Sequence, residues 1–337
     1  MKRSPTMKDV AKAAGVSVMT VSRAFKLDAS VGAGTRARIQ ETADALGYVF
    51  DSTAATLRAQ RSNFVAVTIP SLNNANFATM VEALTGVLSA AGYQVLLGHT
   101  NYDMHREEEL IADFLQRRPE AIVVTGGRHT ARARKLLAAA GVPVFETWDL
   151  PDDPIGHVVG FSNGAVIAPL VDHLVGLGHS KIGFIGGDTD SDTRGVDRRA
   201  GFVAAMAGHG LDPTRLIGSG APQNPMQNGA KAMAALREDW PDTTAVICVS
   251  DLVAFGALSE CQRRGIAVPD DMAVVGFGAY DIAGACVPTL TTIDPRPNAM
   301  GQTTAQHVIA MMNGPQDKVV VGMDPVLRVG GSTLVQA

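Results

Sequence analysis

At 337 residues the chain exceeds what one hydrophobic core, which stops growing near about 250–300 residues, normally serves, so more than one domain is expected. Hydrophobic residues make up 46% and charged residues 18%, which excludes a disordered polar chain, and no run of about 18 apolar residues is present to span a bilayer. The net charge of −4 is uneven: residues 1–61 hold ten Lys/Arg against five Asp/Glu (+5), which leaves 29 − 10 = 19 basic and 33 − 5 = 28 acidic residues (−9) for the rest. A basic head on an acidic body points to a polyanion met by the head alone, although a solvated basic surface has the same pattern.

In chain order, Thr6 is placed to cap a helix over 8–14 with Val10, Ala11 and Ala14 on one face, and Gly15 breaks it. Ser17 is a second capping candidate, opening a helix through Phe25 whose apolar side is Val18, Val21 and Phe25. Two short helices around a Gly-containing turn are the helix-turn-helix signature. A third helix is expected over about 35–46, with Ala37, Ile39, Ala43 and Leu46 inward and Gly47 as its stop.

From Phe64 onward apolar runs alternate with helical stretches. Strands are expected at 64–70, 93–98, 121–125, 142–147, 158–161, 181–186, 245–249, 273–277 and 318–322. Helices are expected at 78–92, 104–117, 163–178, 198–209, 227–238 and 251–265. This rhythm predicts parallel sheets with helices on both faces, in two successive doubly wound lobes.

Cys248, Cys261 and Cys286 are odd in number and widely spaced, so they read as core residues of a reducing compartment rather than a disulfide framework or a metal site. No nucleotide-binding or zinc-protease motif is present, and no cofactor or metal is expected. The start, MKRSPTMKDVAKAAG, lacks the apolar stretch of a signal peptide, so the cytoplasm is the expected compartment. His129, His173, His179 and His209 are scattered and read as surface or packing residues, and Arg106-Glu107-Glu108-Glu109 as a solvated helix face. G-F-S-N-G at 160–164, between a strand and a helix, fits a hydrolase nucleophile elbow, for which His307, in a helical pattern, is the nominal base.

The runs M-K-D-V-A-K-A-A-G-V-S-V-M-T-V-S-R (7–23), S-V-G-A-G-T-R (30–36) and A-L-G-Y (45–48) resemble the DNA-binding head of LacI/GalR transcription regulators. The resemblance implies a multidomain fold, an all-α helix-turn-helix head at 1–50, a hinge at 51–62 and an α/β two-lobed effector and dimerisation domain at 63–337. It makes Val18 and Met19 the principal base readers, by apolar contact with thymine methyls or groove filling. Thr20, Ser22 and Arg23 are the polar remainder of that helix, with Lys8, Ser17, Lys26, Thr35 and Arg36 as positioners on the phosphate backbone. In the hinge, Leu57 takes the place of a minor-groove wedge with Arg58 beside it; a plain linker helix is the other reading. Phe50-Asp51 stands where many relatives carry Pro-Asn.

The pieces at 173–187, 197–202, 250–258, 264–277 and 288–293 are similar to the family's effector domain, itself like periplasmic sugar-binding proteins, which hold ligand in the crevice at the strand carboxyl ends. The resemblance implies that Arg198 grips effector hydroxyls or carboxylates, joined by Asn76, Phe77, Glu146, Trp148, Ser250 and Asp251. Trp148 also fits a core aromatic. The same likeness assigns Ser162 and Asn163 to ligand contact rather than hydrolysis, so no enzyme is expected. Many relatives have an aspartate where this chain has Gly278, which favours a more acidic effector, and Arg296 is expected to add positive charge. The segment 146–163 looks most like gluconate-utilisation repressors, which implies gluconate or a related sugar acid, phosphorylated or not. The expected partners are a pseudo-palindromic double-stranded operator and a second copy of the chain, with no tetramerising tail and no membrane. A transport receptor shares the body fold, but not the basic head.

Overall fold

The computed structural model describes residues 3–25, 30–50, 62–220, 223–314 and 317–334, in two compact units, Met1–Arg61 and Ser62–Ala337. In the first unit, α1 (Met7–Ala14) opens where the Thr6 N–H and hydroxyl donate to the Asp9 carboxylate at 2.8 and 2.6 Å, bonds that hold the Asp9 pKa below the ordinary carboxylate value. It ends on Gly15, left-handed at φ +66°. For α2 (Val18–Phe25), the Ser17 Oγ accepts the Thr20 N–H at 3.1 Å, satisfying one free amide of the first turn. With α3 (Ala33–Leu46), these helices enclose Val10, Val21, Ala24, Ile39 and Ala43.

Three expectations shift here. The apolar side of α2 is centred on Val21 and Ala24, and Val18 is exposed. In α3, Ala37 lies opposite the Ile39–Ala43 stripe, and Leu46 sits past the end of the core; both are exposed. Phe50 stacks on Phe25 with ring centroids 5.1 Å apart, which gives the departure from Pro a packing role.

The second unit begins with β1 (Phe64–Ile69), α4 (Ala75–Ala90), β2 (Gln94–His99), α5 (Met104–Gln116), β3 (Ala121–Thr125), α6 (Ala131–Ala138), β4 (Val144–Thr147) and β5 (His157–Gly160). The chain then crosses through α7 (Ala168–Gly176) to β6 (Ile182–Ile185), α8 (Thr193–Gly208), β7 (Leu216–Ile217), α9 (Pro225–Asp239), β8 (Ala245–Cys248), α10 (Asp251–Arg264), β9 (Ala273–Val275) and α11 (Asp281–Ala285). It returns by β10 (Thr292–Asp294) and α12 (Pro297–Asn313) to β11 (Val320–Gly322), and β12 (Val326–Arg328) pairs antiparallel with β10.

Among the described residues the strands form a parallel sheet ordered β11-β5-β4-β3-β1-β2 and a second ordered β7-β6-β8-β9. Each reverses its winding once, between β1 and β3 and between β6 and β8. At such switch points the loops from the strand carboxyl ends splay apart and leave a crevice.

Helix α12 lies against α4. Gly301 makes that approach possible, since a Cβ there would fall 2.3 Å from the Met80 carbonyl oxygen and 3.1 Å from the Leu84 nitrogen. Both obstacles are backbone, so neither can swing aside. Gly301→Ala is therefore expected to destabilise the protein by about 1–3 kcal/mol in urea unfolding followed by circular dichroism. Gly86→Ala, in the same α4 with open space around it, is expected to be neutral or mildly stabilising. Equal effects from the two would show that α12 does not press on α4.

Candidate functional site: an interlobe cleft and an exposed helix

Between the two sheets of the second unit lies a cavity of about 500 Å³, lined from the carboxyl ends of strands in both lobes. Its apolar side is aromatic: Phe77 meets Trp148 edge-on at 5.1 Å, Trp148 meets Phe161 at 6.3 Å, and Phe161 meets Phe277 at 6.1 Å. Trp148 holds a left-handed backbone at φ +66° and donates its indole N–H to the Met80 sulfur at 2.8 Å, so the ring presents only its apolar surface.

Two guanidiniums face that aromatic wall. Arg198 stacks on Phe277 with its carbon 3.7 Å from the ring centroid. It donates to the Val249 carbonyl at 3.2 Å and to Asn163 Oδ1 at 2.8 Å, and its Nε has no partner among the described residues. Loss of water around the group lowers its pKa to about 10, which leaves it cationic at neutral pH. Arg194 is only 6% exposed, lies 5.5 Å from the Phe77 centroid, and makes no hydrogen bond or ion pair to a described residue. Among the described residues the one carboxylate lining the cavity, Asp192, also accepts the Gly195 N–H at 3.1 Å as the cap of α8.

The lobes touch directly at the cleft. Asn76 Nδ2 donates to the Gly278 carbonyl at 3.0 Å, and the Tyr280 hydroxyl donates to Asn74 Oδ1 at 3.1 Å. Gly278 sits at φ +132°, and a Cβ there would come within 3.1 Å of the Asn76 amide, so this backbone excludes an aspartate without strain.

Of the residues expected at the ligand, Asn76, Phe77, Trp148, Arg198 and Ser250 line the cavity. The other five do not. Glu146 is fully buried on the opposite face of its sheet, with Oε2 accepting the Ile155 N–H at 2.6 Å and Oε1 lying 3.6 Å from His129 Nε2. Asp251 is fully buried, accepting from the Thr292 hydroxyl at 2.6 Å and the Tyr280 N–H at 2.9 Å; burial raises its pKa to about 6 against those bonds. Ser162 is exposed outside the cavity, Asn163 lies behind Arg198, and Arg296 points to solvent with its N–H on Asp294. Arg194, Tyr102 and Tyr280 line the cavity without having been singled out. Arg194 carried a signal in its spacing, one helical turn before Arg198 on α8.

The Arg106–Glu109 run is only partly a solvated face. Arg106 pairs with Glu109 at the surface at 2.8 Å, whereas Glu107 turns inward to accept from His129 Nδ1 at 2.7 Å. His129, Glu107 and Glu146 form a buried charged cluster tying α5, the loop after β3 and β4 together.

In the first unit, Val18 and Met19 are 41% and 63% exposed at the start of α2, an unusual display of apolar surface on a small domain. Ser17, Arg23 and Lys8 are exposed, while Thr20, Ser22, Thr35 and Arg36 are half-buried. The Ser17 and Thr20 hydroxyls bond each other at 2.9 Å, and Arg36 donates to the Val31 carbonyl at 3.2 Å. Lys26, Leu57 and Arg58 lie outside the described residues.

Residues 6–51 match the profile of bacterial regulatory proteins of the lacI family, and residues 171–333 that of a periplasmic binding protein-like domain. The chain is 31% identical over 313 residues to the HTH-type transcriptional regulator GntR of Escherichia coli K12, covering 93% of each chain. It belongs to the lacI family. GntR of Pseudomonas aeruginosa is 33% identical over 311 residues, covering 92% of this chain and 90% of that one. The crystal structure of a LacI-family regulator from Silicibacter pomeroyi superposes with a TM-score of 0.90 at 29% identity, over 98% of this chain and 99% of that chain.

A lacI-family chain is a DNA-binding transcription regulator with an effector domain, not an enzyme. The geometry around G-F-S-N-G agrees: Ser162 Oγ accepts the Ala165 N–H at 3.2 Å as a turn cap, and His307 lies by His157 at the other end of β5. Among the described residues no helix is long and apolar enough to cross a membrane, and no group of three His, Cys, Asp or Glu is placed to hold a metal ion.

Protonation of the buried cluster is written into stability. Burial works to strip the proton from His129, but the Glu107 bond at 2.7 Å and the nearby Glu107 and Glu146 carboxylates prevail and raise its pKa from 6.5 to about 9. A folded pKa above the unfolded one stabilises fully below pH 6.5 and loses that contribution as pH rises through 9. Thermal unfolding of this lacI-family protein is expected to show a loss on the order of 3 kcal/mol across that window, reduced in Glu107→Gln. A flat profile from pH 6.5 to 9 would mean that His129 is not held as a cation.

Proposed function

We propose that the chain is a cytoplasmic repressor of sugar-acid catabolism genes that binds a pseudo-palindromic operator as a homodimer and takes gluconate or a related sugar acid in its interlobe cleft. Residues 1–50 form the operator-binding head, 51–62 the hinge and 63–337 the effector and dimerisation domain. The observation that carries the effector class is charge: Arg194 and Arg198 share a cavity lined by one carboxylate, Asp192, so a single anionic group neutralises it. Guanidinium forks match a carboxylate with paired charge-assisted bonds. The polar groups of Asn74, Asn101, Ser219 and Gln223 line the same cavity and suit a polyol chain, and the Phe77 and Trp148 surfaces suit its C–H faces. The resemblance of 146–163 to gluconate-utilisation repressors points the same way.

The positive charge attributed to Arg296 is supplied instead by Arg194 in this reading. Gly278 adds no second acidic side chain to that of Asp192 to oppose the ligand's carboxylate. The effector acts by binding two lobe arrangements unequally, which alters operator affinity.

On the DNA side, Val18 and Met19 fill the major groove against thymine methyls, with Thr20, Ser22 and Arg23 beside them. Lys8, Ser17, Lys26, Thr35 and Arg36 hold phosphates, and Leu57 with Arg58 enters the minor groove. Fluorescence-anisotropy titration of a palindromic operator is expected to show affinity falling steeply with salt. Lys8→Ala is expected to weaken all sequences alike and reduce the log–log salt slope by about one. A salt-independent interaction would refute the phosphate contacts.

Calorimetric titration tests the effector class. Gluconate is expected to bind and glucose to bind far more weakly. Arg194→Gln is expected to weaken gluconate about 10- to 100-fold, the worth of a charge-assisted bond, with unliganded operator affinity retained. Equal affinity for glucose and gluconate, or full retention in Arg194→Gln, overturns this reading.

A further inference from the structure

We infer that Asn163 is a positioning residue that sets the aromatic and the cationic walls of the effector cleft at once, an inference that rests on the sugar-acid reading for its ligand. Asn163 is 1% exposed and does not line the cleft. Its Nδ2 donates to the Trp148 carbonyl at 2.8 Å and, at 3.5 Å, to the Asp149 carboxylate, whose charge would oppose a second carboxylate here, and its Oδ1 accepts from Arg198 Nη2 at 2.8 Å. One amide orientation satisfies both bonds, because only nitrogen can donate to a carbonyl and only oxygen can accept from a guanidinium.

The two residues it holds come from different lobes. Trp148 follows β4, where its φ of +66° is a conformation that a bulky L-residue keeps only when its surroundings over-determine it. Arg198 is on α8, fixed on one side by Phe277 and the Val249 carbonyl and on the other by Asn163. With those two bonds made, the Arg198 Nε has no described partner, so the hold orients its remaining donors for a ligand instead of consuming them.

The double requirement makes the side chain hard to replace. A carboxylate accepts from Arg198 but cannot donate to the Trp148 carbonyl, and it cancels the charge a sugar acid needs. A leucine does neither. A protonated carboxyl does both, since its O–H donates and its carbonyl oxygen accepts. Asn163→Asp is therefore expected to recover function as pH falls, which a merely structural role does not produce.

The test uses the full-length chain carrying Trp240→Phe, so that Trp148 is the sole tryptophan, with Asn163→Asp and Asn163→Leu added separately. Calorimetry with potassium gluconate is run at pH 8 and pH 5, alongside Trp148 emission of the unliganded proteins. At pH 8 both variants are expected to bind at least tenfold more weakly than the parent. Asn163→Asp is expected to regain at least threefold relative to the parent on moving to pH 5, and Asn163→Leu nothing. Retained affinity at pH 8, or losses that are the same in both variants and independent of pH, overturns the inference. If the parent binds no sugar acid, the effector reading fails on its own, and Trp148 emission then decides: a shift in both variants that reverses at pH 5 only in Asn163→Asp supports the positioning role, and unchanged emission overturns it.

Discussion

The guanidinium of Arg198 is the point on which the effector domain turns. It rises from α8 in the second lobe, lies flat on Phe277, bonds the end of β8 through Val249, and reaches Asn163 at the crossover from the first lobe. A cation withdrawn from water needs compensation, and here its direct contacts are a ring face and two neutral oxygens, with the Asp192 carboxylate acting through space and not bonded to it. Compensation by neutral groups leaves the charge available. An ion pair at the same place would have spent it.

The contrast with His129 shows what such a cavity avoids. His129 is also cationic and buried, but Glu107 and Glu146 enclose it, and the charges are consumed in joining α5, the loop after β3 and β4. Glu146 and Trp148 are two residues apart, so strict strand alternation would place them on one face of the sheet. They part because the strand ends at Thr147 and Trp148 turns into the left-handed region. Phe145 and Trp148 then share the core on the side of α4, whereas Glu146 faces α5.

Much of this was legible in the sequence. The nine expected strands coincide with β1 to β6, β8, β9 and β11, because buried parallel strands write themselves as continuous Val/Ile runs such as Val65–Ile69 and Ala121–Thr125. Strands β7, β10 and β12 have two or three residues each, too short for any periodicity. The helical pattern around His307 extends to the 17 residues of α12, whose packed face carries Gly301 and Thr304; neither registers as apolar, yet Gly301 is what lets the helix close on α4. The cleft was legible in part. Residues belonging to the quoted pieces, such as Arg198 and Ser250, fall at the cavity, whereas Arg194 depends on helical spacing, and the parting of Trp148 from Glu146 depends on a single backbone torsion, that of Trp148, which the sequence does not display.

The same torsional economy governs how the lobes meet. Gly278 takes φ +132°, and its carbonyl accepts from Asn76, while Tyr280, two residues on, reaches Asn74. The Tyr280 N–H is held in turn by Asp251, whose buried carboxylate is bonded to Thr292. Among the described residues the lobes are joined at the cleft by the hydrogen bonds Asn76 to Gly278, Tyr280 to Asn74 and Arg198 to Asn163, each neutral or singly charged, and beside it by Arg128, which donates to the Thr193 carbonyl at 3.3 Å and pairs with Asp197. Contacts of this kind contribute about 0.5–3 kcal/mol apiece, similar to the differential binding energy a small ligand can supply. An occupant that bonds Arg194 and Arg198 while leaving these contacts intact adds to closure, and one that displaces Asn76 or Tyr280 opposes it. The direction of the response therefore follows from which of the bonds the ligand replaces, not from how tightly it binds.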